Sequence, residues 1–417
     1  MKRLRVAELF AGVGGFRIGF ESASKGFDTV WFNQWEPGKA DSSQHAWVNY
    51  CRVFGHNQEV ARKKLTNTDI AKVPVNAIPE HDLLVGGFPC QDYSVARTAN
   101  QAAGLVGKKG VLWWEIYRIL RGKGKKAPRY LMLENVDRLL KSPVSKRGRD
   151  FAIMLSSLAE LDYAVEWRVI NAAEYGMPQR RRRVYILGYK KGTSQYEALK
   201  ADPTSWLTKK GIMPKVFEID TPESGSIVSF ELPEANKVED MPRLNSKTSV
   251  FQNAGVMIRG KVITAKVTPS YDGPRTVLKN IVVPESKVPE EYFIPESRLA
   301  EWRRQKSGKS EERESKDGFK YNYSEGSMAF PDPLDKPSRT IVTGEGGSGA
   351  SRFKHVIKAK SGRYRRLTPI ELERLNMFPD NHTLGASDTQ RAFFMGNALV
   401  VGIVERLGKE LIKRADG

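Results

Sequence analysis

Up to about residue 190 the chain alternates short apolar runs with stretches of helical periodicity, and this alternation limits the possible folds more than any other feature. Arg5 to Phe10 is followed by Phe16 to Ser24, and Thr29 to Asn33 by Lys39 to Phe54; further apolar runs stand at Asp82 to Val85 and Tyr130 to Leu133. Strands buried on both faces read as continuous apolar runs, and helices between them make successive strands parallel. The expected class is therefore α/β, with a mostly parallel, mixed sheet. Phe151 to Leu161 reads as an amphipathic helix, and Ala164 to Ile170 and Val184 to Tyr189 as strands that extend the same sheet.

The character changes near residue 191. Pro and Gly become frequent, strand-like pieces such as Ser226 to Leu232 and Val256 to Val267 are short, and Arg303 to Lys316 mixes charges of both signs. A smaller, irregular domain is expected over 191–355. Arg363 to Phe378 and Ala392 to Ile412 are again helical with apolar faces, so 356–417 is expected to rejoin 1–190 in a discontinuous larger domain.

The formal net charge is +20, and an excess of that size collects polyanions, with nucleic acid the leading partner. No apolar run approaches the ~20 residues of a membrane span, and Met1 to Arg5 leads directly into a strand, so a cytoplasmic protein is expected. Two cysteines, Cys51 and Cys90, make no disulfide framework, and no metal-ligand spacing is present. No metal is expected.

Chemistry-bearing residues fall at strand ends. Leu9-Phe10-Ala11-Gly12-Val13-Gly14-Gly15-Phe16 is a strand feeding a glycine turn that opens a helix, where a ligand can approach the backbone. Arg17 stands where a dinucleotide fingerprint wants a third glycine, which disfavours a nicotinamide enzyme. Asn33-Gln34-Trp35-Glu36-Pro37 ends the next strand and offers a polar group for ribose hydroxyls and an indole for a purine; Thr68-Asp69-Ile70 is a weaker contact. Gly86-Gly87-Phe88-Pro89-Cys90-Gln91 places a cysteine at the carboxyl end of a buried strand, where open α/β sheets put their sites. Cys51, at helical spacing with Trp47 and Phe54, reads as core. Tyr130 to Val136 ends in a carboxylate, Glu134, at the same edge. In Gln179-Arg180-Arg181-Arg182-Arg183, period two puts Gln179, Arg181 and Arg183 on one face, leaving Arg180 and Arg182 as a solvated patch.

These residues resemble the cytosine-C5-specific DNA methyltransferase family. The Phe-Ala-Gly-Val-Gly-Gly turn, Phe-Pro-Cys-Gln, Glu-Asn-Val, Gln-x-Arg-x-Arg, Arg366-Leu367-Thr368-Pro369 with Phe378-Pro379, and Gly396-Asn397-Ala398 occur in the family's order. The resemblance implies a Rossmann-like methyltransferase fold, S-adenosylmethionine as methyl donor with S-adenosylhomocysteine as product, and 191–355 as target-recognition domain. It implies catalytic roles for Cys90, Glu134, Arg181 and Arg183. Phe10, Gly12, Val13, Gly15, Gln34, Trp35, Glu36, Asp69, Ile70, Pro89, Asn397 and Ala398 would contact the donor. Gln91, Ser94, Gln179, Arg339, Thr340 and Arg352 would contact nucleic acid. Two departures stand out: the family's Glu before the ribose-contacting Trp is Gln34 here, with Glu36 on the other side, and its Gly before Asp-Ile is Thr68.

The mechanism so implied is attack by the Cys90 thiolate at carbon 6 of a cytosine flipped out of the duplex, with Glu134 donating to ring nitrogen 3 and an arginine holding the carbonyl oxygen. Residues 91–110, with glycines 104, 107 and 110 as hinges, would close over the base. The partners implied are double-stranded DNA and a cognate restriction endonuclease, for a monomeric prokaryotic modification enzyme. The rivals are a tRNA-acting branch of the same family and a catalytically silent DNA-binding protein. A zinc deaminase is excluded by the missing Cys-x-x-Cys and His-x-Glu.

Overall fold

Leu4–Leu9 (β1) buries every residue except Arg5, which is half-exposed and bonded to Asp82 through both backbone and guanidinium. A strand apolar on both faces must lie inside a sheet with layers on either side, and β1 does. A computed structural model of the chain describes residues 3–40, 43–88, 112–143, 146–241, 244, 248–314 and 320–416. The described residues form two compact units: 1–175 with 182–273 and 401–417, and 176–181 with 274–400.

The first unit is built on a nine-stranded sheet. After β1 come Phe27–Asn33 (β2), Leu83–Gly87 (β3), Tyr130–Val136 (β4), Tyr163–Asn171 (β5), Arg182–Lys190 (β6), Ile227–Glu231 (β7), Ala254–Ile258 (β8) and Lys261–Ala265 (β9). Their spatial order is β2-β1-β3-β4-β6-β5-β8-β9-β7. The β2-β1-β3-β4 half is parallel, and the rest pairs antiparallel. Helices Gly15–Ala23 (α1), His45–Val53 (α2), Leu112–Lys123 (α3) and Arg149–Glu160 (α4) belong to this unit. The α/β class and the mixed sheet expected from the sequence are present. Residues 191–273 continue this unit through β7, β8 and β9, whereas 356–400 fall in the other one.

Val401–Arg414 (α8) returns to pack on α1. A Cβ on Gly19 would lie 2.6 Å from Val404, and one on Gly408 3.0 Å from Phe20. Glycines on both helices therefore permit an approach that larger residues would block.

The second unit is largely irregular. Pro284, Pro289 and Pro295 each precede a three-residue 3-10 turn, consistent with a fixed φ and no backbone donor. Its regular parts are helices Leu299–Lys306 (α5), Pro369–Leu375 (α6) and Asp388–Asn397 (α7), with two antiparallel ribbons. The ribbons pair Lys309–Glu314 (β10) with Lys320–Glu325 (β11), and Val356–Lys358 (β12) with Tyr364–Arg366 (β13). Small apolar clusters around Tyr292 and Phe293, and around Ile294, Trp302 and Val356, hold it together.

Candidate active site

The strand order changes direction at β1: β2 lies on one side, β3 and β4 on the other. Ligands of open α/β sheets bind outside the carboxyl ends of strands at such a switch point. The register brings those ends level, pairing Leu9 with Gly86, Gly86 with Leu133, and Gly87 with Glu134.

The glycine turn leaves β1 here. Phe10, Gly12 and Gly14 all have positive φ, at 55°, 55° and 87°. Gly14 is packed from behind, since a Cβ there would lie 2.3 Å from the Phe54 ring, whereas a Cβ on Gly12 would meet nothing within 4 Å. The turn is thus supported on one side and open on the other. Gly14 caps α1 with no side-chain hydrogen bond, and the first turn holds no acidic residue, so that helix start suits an anionic group. Val13 is buried and Gly15 begins α1.

Behind the turn, buried Glu8 accepts a hydrogen bond from the Tyr50 hydroxyl at 2.9 Å. Burial pushes its carboxyl up to about 8, against the opposing pull of Tyr50 and Arg17. Arg17 lies 4.1 Å from the Phe54 ring centroid and bonds Glu21 and His56. Cys51, buried in the same cluster, has its thiol pushed up to about 11 by burial, in keeping with a core role.

Beside the turn, Gln34 accepts from the Gly12 N–H at 2.7 Å. Glu36 is held through its backbone by fully buried Gln44, which accepts from Glu36 N–H and donates to Glu36 C=O, while the Glu36 carboxylate faces Lys39 Nζ at 2.5 Å. Trp35 is half-buried. Asp69 accepts from Ala71 N–H, capping a 3-10 turn that begins at buried Ile70.

On the neighbouring strands, Glu134 Oε1 meets Arg183 Nε at 2.9 Å, with both side chains mostly buried. Val136 of β4 pairs with Arg183 of β6, so antiparallel register explains how residues so far apart in sequence come together. Asn135 is a contributor that sequence reasoning left without a role. Buried within the Glu-Asn-Val motif, its Nδ2 donates to the carbonyl of Phe88 at 2.9 Å, securing the chain where it leaves β3.

Pro89, Cys90, Gln91, Ser94 and the rest of the expected closing loop lie outside the described residues. The other expected contacts belong to the second unit. Arg181 is buried and donates to the carbonyls of Ile341 at 3.1 Å and Gly396 at 2.8 Å. Gln179 is also buried: its amide donates to Leu375 O and Asn376 Oδ1 and accepts from Ile341 N–H. A fully buried amide engaged at both ends ties the Leu375–Asn376 segment to Ile341. Arg339 bonds Asp332 and the Phe353 carbonyl, Thr340 donates to Arg180 O, and Arg352 donates to the carbonyls of Ser307 and Gly326. Asn397 is exposed at the end of α7, and the Ala398 N–H bonds Phe394 O. Gly396 is required by contact, since a Cβ would lie 2.5 Å from Thr343 N. Among the described residues, no group of three potential ligands could hold a metal, and no helix is long and apolar enough to cross a membrane.

This architecture, with its glycine turn at the switch point, is that of the Rossmann-like methyltransferases. Two solved methyltransferases share the fold at low sequence identity: EhMeth of Entamoeba histolytica (13% identical, TM-score 0.57, 99% of each chain covered) and Dnmt2 of S. pombe (14%, 0.57, 99% of each). The chain belongs to the C-5 cytosine-specific DNA methylase family, whose family model matches residues 4–413. Two type II methyltransferases are similar along nearly the whole chain. M.Sau3AI of Staphylococcus aureus is 43% identical over 99% of this chain and 96% of its own, and M1.ScrFI of Lactococcus lactis subsp. cremoris is 26% identical over 99% and 78%. The protein is a DNA cytosine-C5 methyltransferase, and the tRNA alternative is not favoured.

Proposed function

We propose that the enzyme methylates one cytosine within a specific duplex sequence, taking the methyl group from S-adenosylmethionine, as the modification half of a restriction-modification pair in a prokaryotic cytoplasm, and that it acts as a monomer. The observation that carries this reading is the Glu134–Arg183 pair at the carboxyl edge of the sheet, level with the glycine turn. An acid and a guanidinium there suit a base whose ring gains negative charge during reaction.

The residues fit the donor. Open space in front of Gly12 admits a ligand to the backbone, and the uncapped start of α1 suits a methionine carboxylate. Phe10, Val13, Gly15, Trp35, Asp69 and Ile70 would complete the contacts, with Pro89, Asn397 and Ala398 assigned by family resemblance. Gln34 oxygen is engaged with the turn, so Glu36, anchored by Gln44, is the better acceptor for ribose hydroxyls. When bound, S-adenosylmethionine supplies an electrophilic methyl group on a sulfonium.

The chain's own groups do the rest. The Cys90 thiolate forms a bond to carbon 6 of the extruded cytosine, breaking the 5,6 double bond and raising electron density at carbon 5. Glu134, oriented by Arg183, meets ring nitrogen 3, and Arg183 steadies the carbonyl oxygen. Arg181 assists by holding backbone. After methylation a base such as water accepts the carbon-5 proton, the electrons of that C–H bond re-form the 5,6 double bond, and the sulfur–carbon bond breaks to return the Cys90 thiolate. Bisulfite sequencing of DNA from cells expressing the protein should find protected cytosines at one recurring sequence. Protection nowhere, or equal protection in cells expressing Cys90→Ser, would refute the reading.

A further inference from the structure

In Arg352-Phe353-Lys354 the usual polarity is inverted. The Phe353 ring is 50% exposed, while Lys354 is 6% exposed and turns inward, its Nζ donating to the carbonyls of Gly347 at 2.9 Å and Gly349 at 2.6 Å. Arg352 likewise donates to the carbonyls of Ser307 and Gly326. A chain seeking only stability would bury the ring and leave the cations in water.

The backbone beneath the ring is unusually restrained. Lys306, 2% exposed on α5, donates to the carbonyls of Arg352, at 2.7 Å, and Lys354. Between them, the Phe353 carbonyl accepts from Arg339 at 2.6 Å, and Arg339 is itself held by Asp332 at 2.8 Å. Three consecutive carbonyls thus each receive a bond from a cationic side chain, so Phe353 stands on a fixed pedestal at the end of a glycine-rich loop. Arg339 and Arg352, expected from the sequence to touch DNA, build that pedestal.

We propose that Phe353 is a wedge: its ring packs against the bases of the duplex substrate and helps unstack the step from which cytosine is extruded. A ring presented by a restrained backbone loses little entropy on binding. Apolar side chains inserted at base steps unstack them, and stacking on a base tolerates any sequence. Duplex DNA is the occupant because the enzyme belongs to a DNA methylase family and carries a net charge of +20. The inference rests on the proposed base extrusion, which methyl incorporation by the unsubstituted enzyme tests separately.

The experiment compares Phe353→Ala with the parent on two oligonucleotide duplexes holding the bisulfite-mapped site, one matched and one mismatched at the target cytosine. Phe353→Ala should bind the matched duplex about 5- to 150-fold more weakly, with a much smaller loss on the mismatched one, whose base is already unstacked. Unchanged affinity for the matched duplex overturns the proposal, as does an equal loss on both. Should Phe353→Ala lower the unfolding midpoint, Phe353→Trp carries the same comparison: parent-like preference between the duplexes is expected, and equal losses on both again overturn it.

Discussion

Two carboxylates of the first unit, Glu134 and Glu8, work in different ways. Glu134 is oriented by an arginine at the sheet edge, whereas Glu8 lies behind the glycine turn with a tyrosine hydroxyl for company. Arg183→Ala removes the guanidinium that orients Glu134 and, in the proposed mechanism, faces the reacting ring. Its kcat should fall roughly 10²- to 10³-fold with little change in donor affinity, which single-turnover kinetics and donor titration can separate. Glu8 affects stability through its proton. Its folded value, about 8, lies above the ordinary 4.5, so the folded state holds the proton more tightly than the unfolded chain. The stabilisation is complete below the unfolded value and is lost as pH rises through about 8. Glu8→Gln, neutral at every pH, should therefore gain in unfolding midpoint relative to the parent between pH 5 and pH 8; a difference independent of pH would show that Glu8 is already ionised in the fold.

The glycine turn separates two costs that a sequence presents alike. Gly14→Ala meets a left-handed φ and the Phe54 ring together, and should destabilise the protein by about 2–4 kcal/mol in urea unfolding. Gly12→Ala meets only the left-handed φ, so about 1–2 kcal/mol is expected, while its methyl group, projecting into the open side, should weaken donor binding more than its stability loss implies. Strands β1 to β6 were legible because burial on both faces leaves continuous apolar runs. The helix expected over Lys39 to Phe54 begins only at His45, because the Gln44 amide binds the backbone of Glu36 and Lys39 into a turn. Val256 to Val267, read as one piece, is a hairpin turning at Arg259 and Gly260, both at positive φ; the Arg-Gly pair was a signal that could have been used. The partners of Arg181, Gln179 and Lys306 were illegible, since they lie far away in sequence and carbonyls carry no mark of which donor they will receive.

At the scale of the whole molecule, charge was readable from composition and the division into units was not, because continuation of the sheet through 227–265 depends on pairings such as Trp167 with Gly255. A Cβ on Gly255 would lie 2.1 Å from the Trp167 ring, a fit that only packing reveals. The excess of +20 implies binding driven by counterion release, so duplex affinity should fall on the order of 10³-fold between about 50 and 200 mM salt, and a flat log–log plot would argue against a phosphate-dominated interface. The seating of α8 on α1 has a further implication for biosynthesis. The α1 surface is translated well before its partner, so the glycine turn rests on a helix whose packing waits for a distant part of the sequence. A message cut short before codon 401 would thus yield a chain with a vacant apolar groove in place of a working methylase, and cellular DNA would go unmarked until whole copies had been made.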